Sequence, residues 1–391
     1  MTLDRDTRWA GTGESHNPDA AEAGREAARG AMGGTDPRLV IVFASDAYDL
    51  PPLLGAIREV CGPAPLVGCS TAGEISSNGP GDAGVVVTCL GGPGFRVRTA
   101  RAEAASADLR GAGAAAASAL ADMGEAEHQV LLLLTDGLAG DQQEIVRGAH
   151  SVAGGGIPLV GGCAGDDLRM QGTRQFFDAE ILEDAVVAAA IASDAPLGVG
   201  VRHGWRPIGE AMLVTRSAGN RVHELDDAPA LDRYLDLLDA PADARTDPAA
   251  FTRFALTHPL GLNGRSDEHH VRFVGEADFE DRSLGCIAAV PQAGLVWLME
   301  GDERSVLDAT DAACADALGP LGGAAPLAVL AFDCIARRAV LGDAGIRSEV
   351  EHIARHGAGA PVAGFYTYGE IARTHGTSGF HNQTLVILAV G

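Results

Sequence analysis

Runs of apolar residues alternate with helical patterns along this chain in an order that repeats. "RLVIVFAS" at 38 to 45 is a continuous apolar run of strand length, "LPPLLGAIREV" at roughly 50 to 60 carries a helical period, and "PLVGCS" follows as a strand opened by Pro. The same order returns at 129 to 163, from "QVLLLLTDG" through "DQQEIVRGAHSVAGGG" to "PLVGGC". It returns again at 326 to 366, from "PLAVLAFDC" through "RSEVEHIARHG" to "PVAGFY". Three such copies signal an internal repeat. Each continues past a polar loop into another apolar strand: "GVVVTCL" from 84, "AVVAAAIAS" from 185 and "QTLVILAVG" from 383.

Ahead of the second copy stand a strand, "FRVRTARA", and an Ala-rich helix at about 106 to 122; ahead of the third stand "GLVWLMEG" and a helix at about 304 to 318. The strands are apolar at consecutive positions, which calls for cover on both faces, and the intervening helices can supply it. The pattern predicts an α/β (α+β) fold of duplicated strand-helix-strand units, with mixed sheets, flanking helices and two related halves. Residues 1 to 36, rich in Gly, Ala and charge, read as a mobile tail. Helices broken by Pro and Asp over 225 to 256, then the aperiodic "THPLGLNGRSDEHHVRF", put the seam near 240 to 260. The domains expected are therefore 37–240 and 241–391.

Within the copies one turn recurs. Pro65, Gly68, Gly73, Glu74 and Ile75 match Pro361, Gly364, Gly369, Glu370 and Ile371, and a version one residue shorter has Pro158, Gly161, Gly165 and Asp166. Pro has no N–H for a ladder and suits a strand's first residue. Gly allows a sharp turn or a close backbone approach. The three acids either hold a ligand or cap a loop by accepting turn N–H groups, and the residues leave both readings open. What varies between the glycines is the tip: "CSTA", "CA" and "FYTY". A retained frame with a varied tip makes Tyr366 and Tyr368 the leading candidates for a pocket wall.

Composition narrows the function. Of 391 residues 46% are apolar, enough for a large core, and 29 Lys and Arg against 53 Asp and Glu leave a net charge of −24. A generic nucleic-acid binder or a protein of anionic membrane surfaces is excluded by that charge. The seven cysteines form no CxxC pair, which argues against a zinc ribbon and for reduced thiols in a cytoplasm. No apolar stretch is long enough to insert in a membrane.

Three catalytic or metal patterns were weighed. "GCSTAG" places Ser70 as in a nucleophile elbow, but Ala72 stands where the last Gly belongs and a loop follows where a helix is required. "GGGIPLVGG" puts its glycines before a strand, the reverse of a phosphate loop. In "DEHH", Asp267, Glu268, His269 and His270 are adjacent, so a strand would splay them to opposite faces.

Taken in order, "PLVGCSTAGEI", "LLLLTDGLAGDQQEIVRG", "IPLVGGCAGDD", "RHGWRPIG", "VHELDDAPALDRYLDLL", "FDCIARR", "PVAGFYTYGEIA" and "HNQTLVIL" resemble the FIST proteins, an N-terminal FIST domain followed by a FIST C-domain, over about residues 38 to 391. The family's "HGW" corresponds to His203, Gly204 and Trp205, and its "GFYSYGE" to Gly364 through Glu370 with Thr367 in the Ser position. Its "HNQT" corresponds to His381 through Thr384, and its "SCxxR" to Asp333 through Arg337 with Asp in place of Ser. That departure weakens any role resting on the hydroxyl.

The resemblance implies an intracellular sensory module of signal transduction. It implies a small-molecule ligand, either a metabolite such as an amino acid or, as in the NosP-type members, haem b for nitric-oxide sensing. The ligand would sit between the halves, near Tyr366, Tyr368, Glu370, His381 and Asn382, with Cys69, Glu74, Asp166 and Arg337 as further candidates. His381 or His203 would bind iron only if haem is bound. The chain ends seven residues after "HNQT", so output is expected to pass through a separate partner, a histidine kinase or a cyclic-di-GMP enzyme by the same resemblance. The alternatives are a hydrolase using Ser70 and a non-catalytic interaction scaffold.

Overall fold

The repeated strand-helix-strand unit is the building block of the structure, a computed structural model that describes residues 7–124, 126–262, 270–374 and 379–391. The first repeat runs β1 (Trp9–Ser15), α1 (Ala20–Ala31), β2 (Pro37–Ala44), α2 (Leu50–Cys61), β3 (Leu66–Ser70), a hairpin of β4 (Glu74–Ser76) and β5 (Gly79–Gly81), and β6 (Val85–Gly91). The second has the same order: β7 (Phe95–Glu103), α3 (Leu109–Ala116), β8 (His128–Thr135), α4 (Gln142–Ala153), β9 (Leu159–Cys163), the hairpin β10 (Gln175–Phe177) and β11 (Glu180–Leu182), and β12 (Ala185–Ser193).

The third begins with β13 (Leu197–Arg202) and is then interrupted by an inserted module. That module comprises β14 (Arg206–Ala218), β15 (Arg221–Leu225), β16 (Ala228–Pro229), α5 (Ala230–Leu237), α6 (Pro248–Ala255), β17 (Leu260–Leu262), β18 (His270–Arg272), β19 (Val274–Asp278), β20 (Ser283–Cys286) and β21 (Leu295–Glu300). The repeat resumes with α7 (Glu303–Leu318), β22 (Ala328–Cys334), α8 (Ile335–His356), β23 (Val362–Thr367), the pair β24 (Glu370–Arg373) and β25 (Phe380–His381), and β26 (Leu385–Val390).

Each repeat gives its hairpin away. The three six-stranded sheets run β1-β6-β2-β3-β10-β11, β7-β12-β8-β9-β24-β25 and β13-β26-β22-β23-β4-β5. The hairpin of the first repeat therefore completes the sheet of the third, that of the second the sheet of the first, and that of the third the sheet of the second. Among the described residues only β2 with β3, β8 with β9 and β22 with β23 pair in parallel, each bridged by its helix; the other ladders are antiparallel.

Alternation along the strands explains the continuous apolar runs. Leu39, Ile41 and Phe43 of β2 enter a central core with Leu132 and Leu134 of β8 and Leu330 and Phe332 of β22. Val40 and Val42 face α1 and α2 on the outside, and the helices of the other two repeats cover their sheets likewise. Glycine three residues after the opening Pro has one cause in all three copies. A Cβ at Gly68, Gly161 or Gly364 would lie 2.2, 1.9 or 2.0 Å from the carbonyl oxygen of Val42, Leu133 or Ala331 on the parallel neighbour. It is a close backbone approach, and at Gly161 the φ of +142° adds a second demand for glycine.

Residues 9–31 correct the reading of 1–36 as a mobile tail. β1 pairs with β6 along its whole length, and α1 buries Ala23, Gly24, Ala27, Ala28 and Ala31 against the sheet. The face is made of alanine and glycine at helical spacing, too small to register as an apolar period, yet small residues are what let the helix lie close to β1. Asp19 caps α1 by accepting Glu22 N–H at 2.9 Å. "GLVWLMEG" is corrected as well: it forms β21, which pairs with β14 and β17, and the strand equivalent to β1 and β7 in the third repeat is β13. The Ala-rich segment at 106 to 122 is helical in three short pieces, with α3 between two 3₁₀ turns.

The inserted module has its own sheet, β18-β17-β21-β14-β15-β20-β19, and its own core of Val214, Leu225, Leu231, Tyr234, Phe251 and Leu298. The stretch 240–260 lies within it, carrying α6 and the start of β17. No helix among the described residues is long and apolar enough to cross a membrane.

Candidate functional site

The three strand exits meet and are hydrogen-bonded in a ring. Ala72 N donates to Tyr366 O at 3.0 Å and Tyr366 N to Gly73 O at 2.8 Å; Cys163 N donates to Gly369 O at 2.8 Å; Gly165 N donates to Ser70 O at 3.0 Å. Each acid of the recurring turn closes its own loop. Glu74 accepts Thr71 Oγ1–H at 2.5 Å and Gly84 N–H at 2.9 Å. Glu370 accepts Thr367 Oγ1–H at 2.5 Å, and Thr384 N–H and Oγ1–H at 3.0 and 2.8 Å. The shared Thr-x-x-acid spacing was visible in the sequence and is the signal that would have identified these acids as loop caps. Burial pushes Glu74 up to about 8 and Glu370 up to about 7 despite those donors.

Asp166, in the shortened copy, accepts backbone N–H groups of Met170, Gln171 and Gly172 and the hydroxyl of Tyr368. Burial works against its charge, but these donors hold it below the usual carboxylate range. Tyr368 in turn accepts Leu168 N–H at 2.8 Å and Asp166 N–H at 3.2 Å, so its hydroxyl ties the second and third repeats together. Cys69 is wholly buried in the central core, where burial raises its thiol. Ser70 is no nucleophile elbow: its Oγ donates to Gly165 O at 2.7 Å and accepts Arg174 N–H at 2.9 Å, and the chain continues into β4, not a helix.

Tyr366 and Arg337 lie on the helix-facing side of the third sheet. Tyr366 is wholly buried beneath the guanidinium of Arg338, 5.0 Å from its ring centre. Arg337 is also wholly buried and donates to Asp333 Oδ1 at 2.8 Å, His203 O at 3.0 Å, Thr310 Oγ1 at 3.0 Å and Glu349 Oε1. Both are held by the protein itself, and Tyr368 packs against the cluster that contains Tyr366.

His203, His381 and Asn382 come together where the inserted module meets the third repeat. β18 runs beside β25, and the His270 and His381 rings are 5.8 Å apart. Trp205 N donates to His203 Nδ1 at 2.9 Å and Trp205 Nε1 to Gln383 O at 3.0 Å. Gln383 has a φ of +55°, a conformation costly for a residue with a Cβ, and its Nε2 donates to Leu256 O at 2.7 Å across the seam. Asn382 Oδ1 and Gln383 Oε1 are buried without a hydrogen-bond partner among the described residues. Arg272, 8% exposed, donates to Ala289 O and Val271 O and has no carboxylate within ion-pair distance among the described residues. Sequence reasoning missed Arg272 because it stands in an aperiodic stretch, and missed Glu349 because it occupies an ordinary helical position.

Haem held by His381 or His203 requires a ring nitrogen free to face an apolar slot. His381 Nε2–H donates to Ala372 O at 2.9 Å. Burial, with His270 and Arg272 adding positive charge, drives its imidazole down to about 3 and keeps it neutral. The apolar residues beside it, Trp205, Val271 and Met299, are packed on one another and buried. These residues do not fit a haem. Of "DEHH", His270 lies in β18, and residues 267–269 lie outside the described residues.

Comparison with known proteins matches residues 38–228 to the FIST N domain and 230–373 to the FIST C domain. An uncharacterized protein of Mycobacterium tuberculosis is 27% identical over 398 residues, spanning 96% of this chain and 97% of its own. Another, of Mycobacterium bovis, is 28% identical over 398 residues, with 96% of each chain covered. A third, of Methanocaldococcus jannaschii, is 27% identical over 164 residues, 40% of this chain and 32% of its own.

Proposed function

The chain belongs to the FIST family, whose domains are associated with sensing in signal transduction, and on that premise we propose that it is a sensor whose small-molecule ligand binds at the seam between the inserted module and the third repeat. The observation that carries this reading is Arg272, a buried cation with no carboxylate in ion-pair contact among the described residues and only Asp141 acting on it from further off, in the seam that also holds the oxygens of Asn382 and Gln383, unpartnered among the described residues. Buried charge is normally paired and buried amide oxygens normally accept a hydrogen bond. A metabolite bearing a carboxylate and an N–H donor, such as an amino acid, supplies both. Asn382 and His381 then belong to the ligand's surroundings, while Glu370 holds the turn that presents them.

Closure of the seam around such a ligand favours one arrangement of module and repeat over another, and differential affinity of this kind is what a separate partner can read. A histidine kinase or a cyclic-di-GMP enzyme is the class of partner proposed.

The test is calorimetric titration of the full chain with a panel of amino acids and related mono- and dicarboxylates, repeated with Arg272→Gln and Asn382→Ala. Binding by the wild type that weakens at least about tenfold in each variant is expected. Binding that both variants leave intact would move the site elsewhere. No binding by any member of the panel would favour the scaffold reading, and a Soret band on adding haem would overturn the choice of ligand class.

A further inference from the structure

On the helix-facing side of the third sheet one guanidinium serves two carboxyl groups. Asp333 and Tyr366 are register partners on the parallel strands β22 and β23, so both side chains leave the sheet toward α7 and α8. Arg337 donates through Nε to Asp333 Oδ1 and through Nη2 to Glu349 Oε1. Those two donors share one edge of the planar guanidinium, an edge that usually takes a single carboxylate, so the two carboxyl groups are pressed side by side. Among the described residues their second oxygens, Asp333 Oδ2 and Glu349 Oε2, have no donor, and neither does the Tyr366 hydroxyl have a partner. Asp333 and Glu349 are 1% exposed, and Arg337 and Tyr366 are wholly buried.

With one positive and two negative groups, full ionisation would leave a buried net charge of −1, which is strongly unfavourable when uncompensated. We propose that Asp333 and Glu349 share one proton between Asp333 Oδ2 and Glu349 Oε2, making the triad with Arg337 a neutral, proton-binding latch. The proton turns one of the two orphaned acceptors into a donor for the other. Burial, then the charge of Glu349, holds Asp333 well above the usual carboxylate range.

Other titratable and charged groups stand around the pair. Glu370 of β24 adds negative charge near Asp333. Cys314 of α7 and Cys334 of β22 are buried thiols raised in their own right. Tyr366 has its phenol held up by burial and by the two acids. Arg338 is the nearest further cation, and it is paired with Asp82.

The latch spans a break in α8. Gly342, at φ 62° and ψ −178°, interrupts the helix between Arg337 and Glu349, so the shared proton joins its two segments. Arg337 also donates to His203 O, where the chain leaves the third repeat for the inserted module. Loss of the proton would restore the buried net charge and loosen α8 from both.

Infrared spectroscopy of the full chain at about pH 9, above the values of about 8 and about 7 to which Glu74 and Glu370 are pushed, tests this. The expected result is a protonated-carboxyl band that shifts on carboxyl-13C labelling of Asp or Glu and is lost in Asp333→Asn and in Glu349→Gln. Denaturation should agree: the unfolding constant of the wild type should rise about tenfold more per pH unit than that of either variant, the effect of one extra proton on the native state. No band in the wild type overturns the proposal, and that measurement stands even if neither variant folds. A band that persists in both variants overturns it too, as does wild-type stability that tracks sodium or potassium concentration at constant ionic strength, because a metal cation would then hold the place of the proton.

Discussion

Tyr368→Phe removes a single oxygen and separates two roles for this residue. That oxygen accepts Leu168 N–H at 2.8 Å and Asp166 N–H at 3.2 Å and donates to Asp166. At about 1 kcal/mol for the better amide bond, less for the longer one, and about 1.5 kcal/mol for the bond to a carboxylate, the variant should lose about 3 kcal/mol without any ligand present. Tyr366→Phe is the matched control, because the Tyr366 hydroxyl is buried with no partner. Its removal should cost nothing measurable or stabilise slightly. Urea denaturation of both variants and the wild type, followed by circular dichroism, compares the three. If Tyr368→Phe loses under about 0.5 kcal/mol, or no more than Tyr366→Phe, the hydroxyl is no strut between repeats, and a ligand-contacting role for Tyr368 returns to the front.

Two further outcomes follow from buried groups. Glu370, pushed up to about 7, binds a proton in the folded state that the unfolded chain releases near its ordinary 4.5. Its contribution to stability is therefore largest below 4.5 and is lost as pH rises toward 7. Between about pH 5.5 and pH 7 the wild type should lose about 1.6 kcal/mol more than Glu370→Gln, and parallel stability–pH curves would show that Glu370 is already ionised in the fold. Trp9→Ala should cost about 3 kcal/mol, since Trp9 is buried and donates to Thr35 O at 2.8 Å. An unchanged denaturation midpoint would return residues 9–31 to the status of a loose tail.

The repeat was legible because β2, β8 and β22 are buried on both faces and each is followed by a helix of ordinary period. The Pro and Gly of the turn were legible for the same kind of reason, since each answers a demand of the backbone itself. The exchange of hairpins left no trace, because β4, β10 and β24 are three or four residues long and pair with strands of another repeat, to which nothing in their local pattern points. The site residues divide along this line. Glu74, Asp166 and Glu370 recur because the fold needs their caps, and recurrence alone could not distinguish a cap from a ligand contact. Arg272 occurs once, and its meaning lies in the absence of a carboxylate beside it among the described residues, a property of the tertiary structure.

The exchanged hairpins bear on how a signal could travel. Because each sheet ends in strands of another repeat, no repeat can shift without straining a ladder of a second, so the three behave as one rigid body. Among the described residues the inserted module shares none of these ladders: its strands pair with one another. It joins the body through the chain at His203–Trp205 and at the entry to α7, with Trp205 Nε1 and Gln383 Nε2 bonded across the junction and Ala288 buried in the helix-facing core of the second repeat. Motion between module and body is therefore the movement this topology leaves least constrained. A ligand held between Arg272 of the module and the Asn382–Gln383 turn of the body would act on that movement directly, and Arg337, bonded to His203 O, would carry it into α8. The pocket expected among the tyrosine tips would instead have had to work against the ring of hydrogen bonds that locks the three exits together.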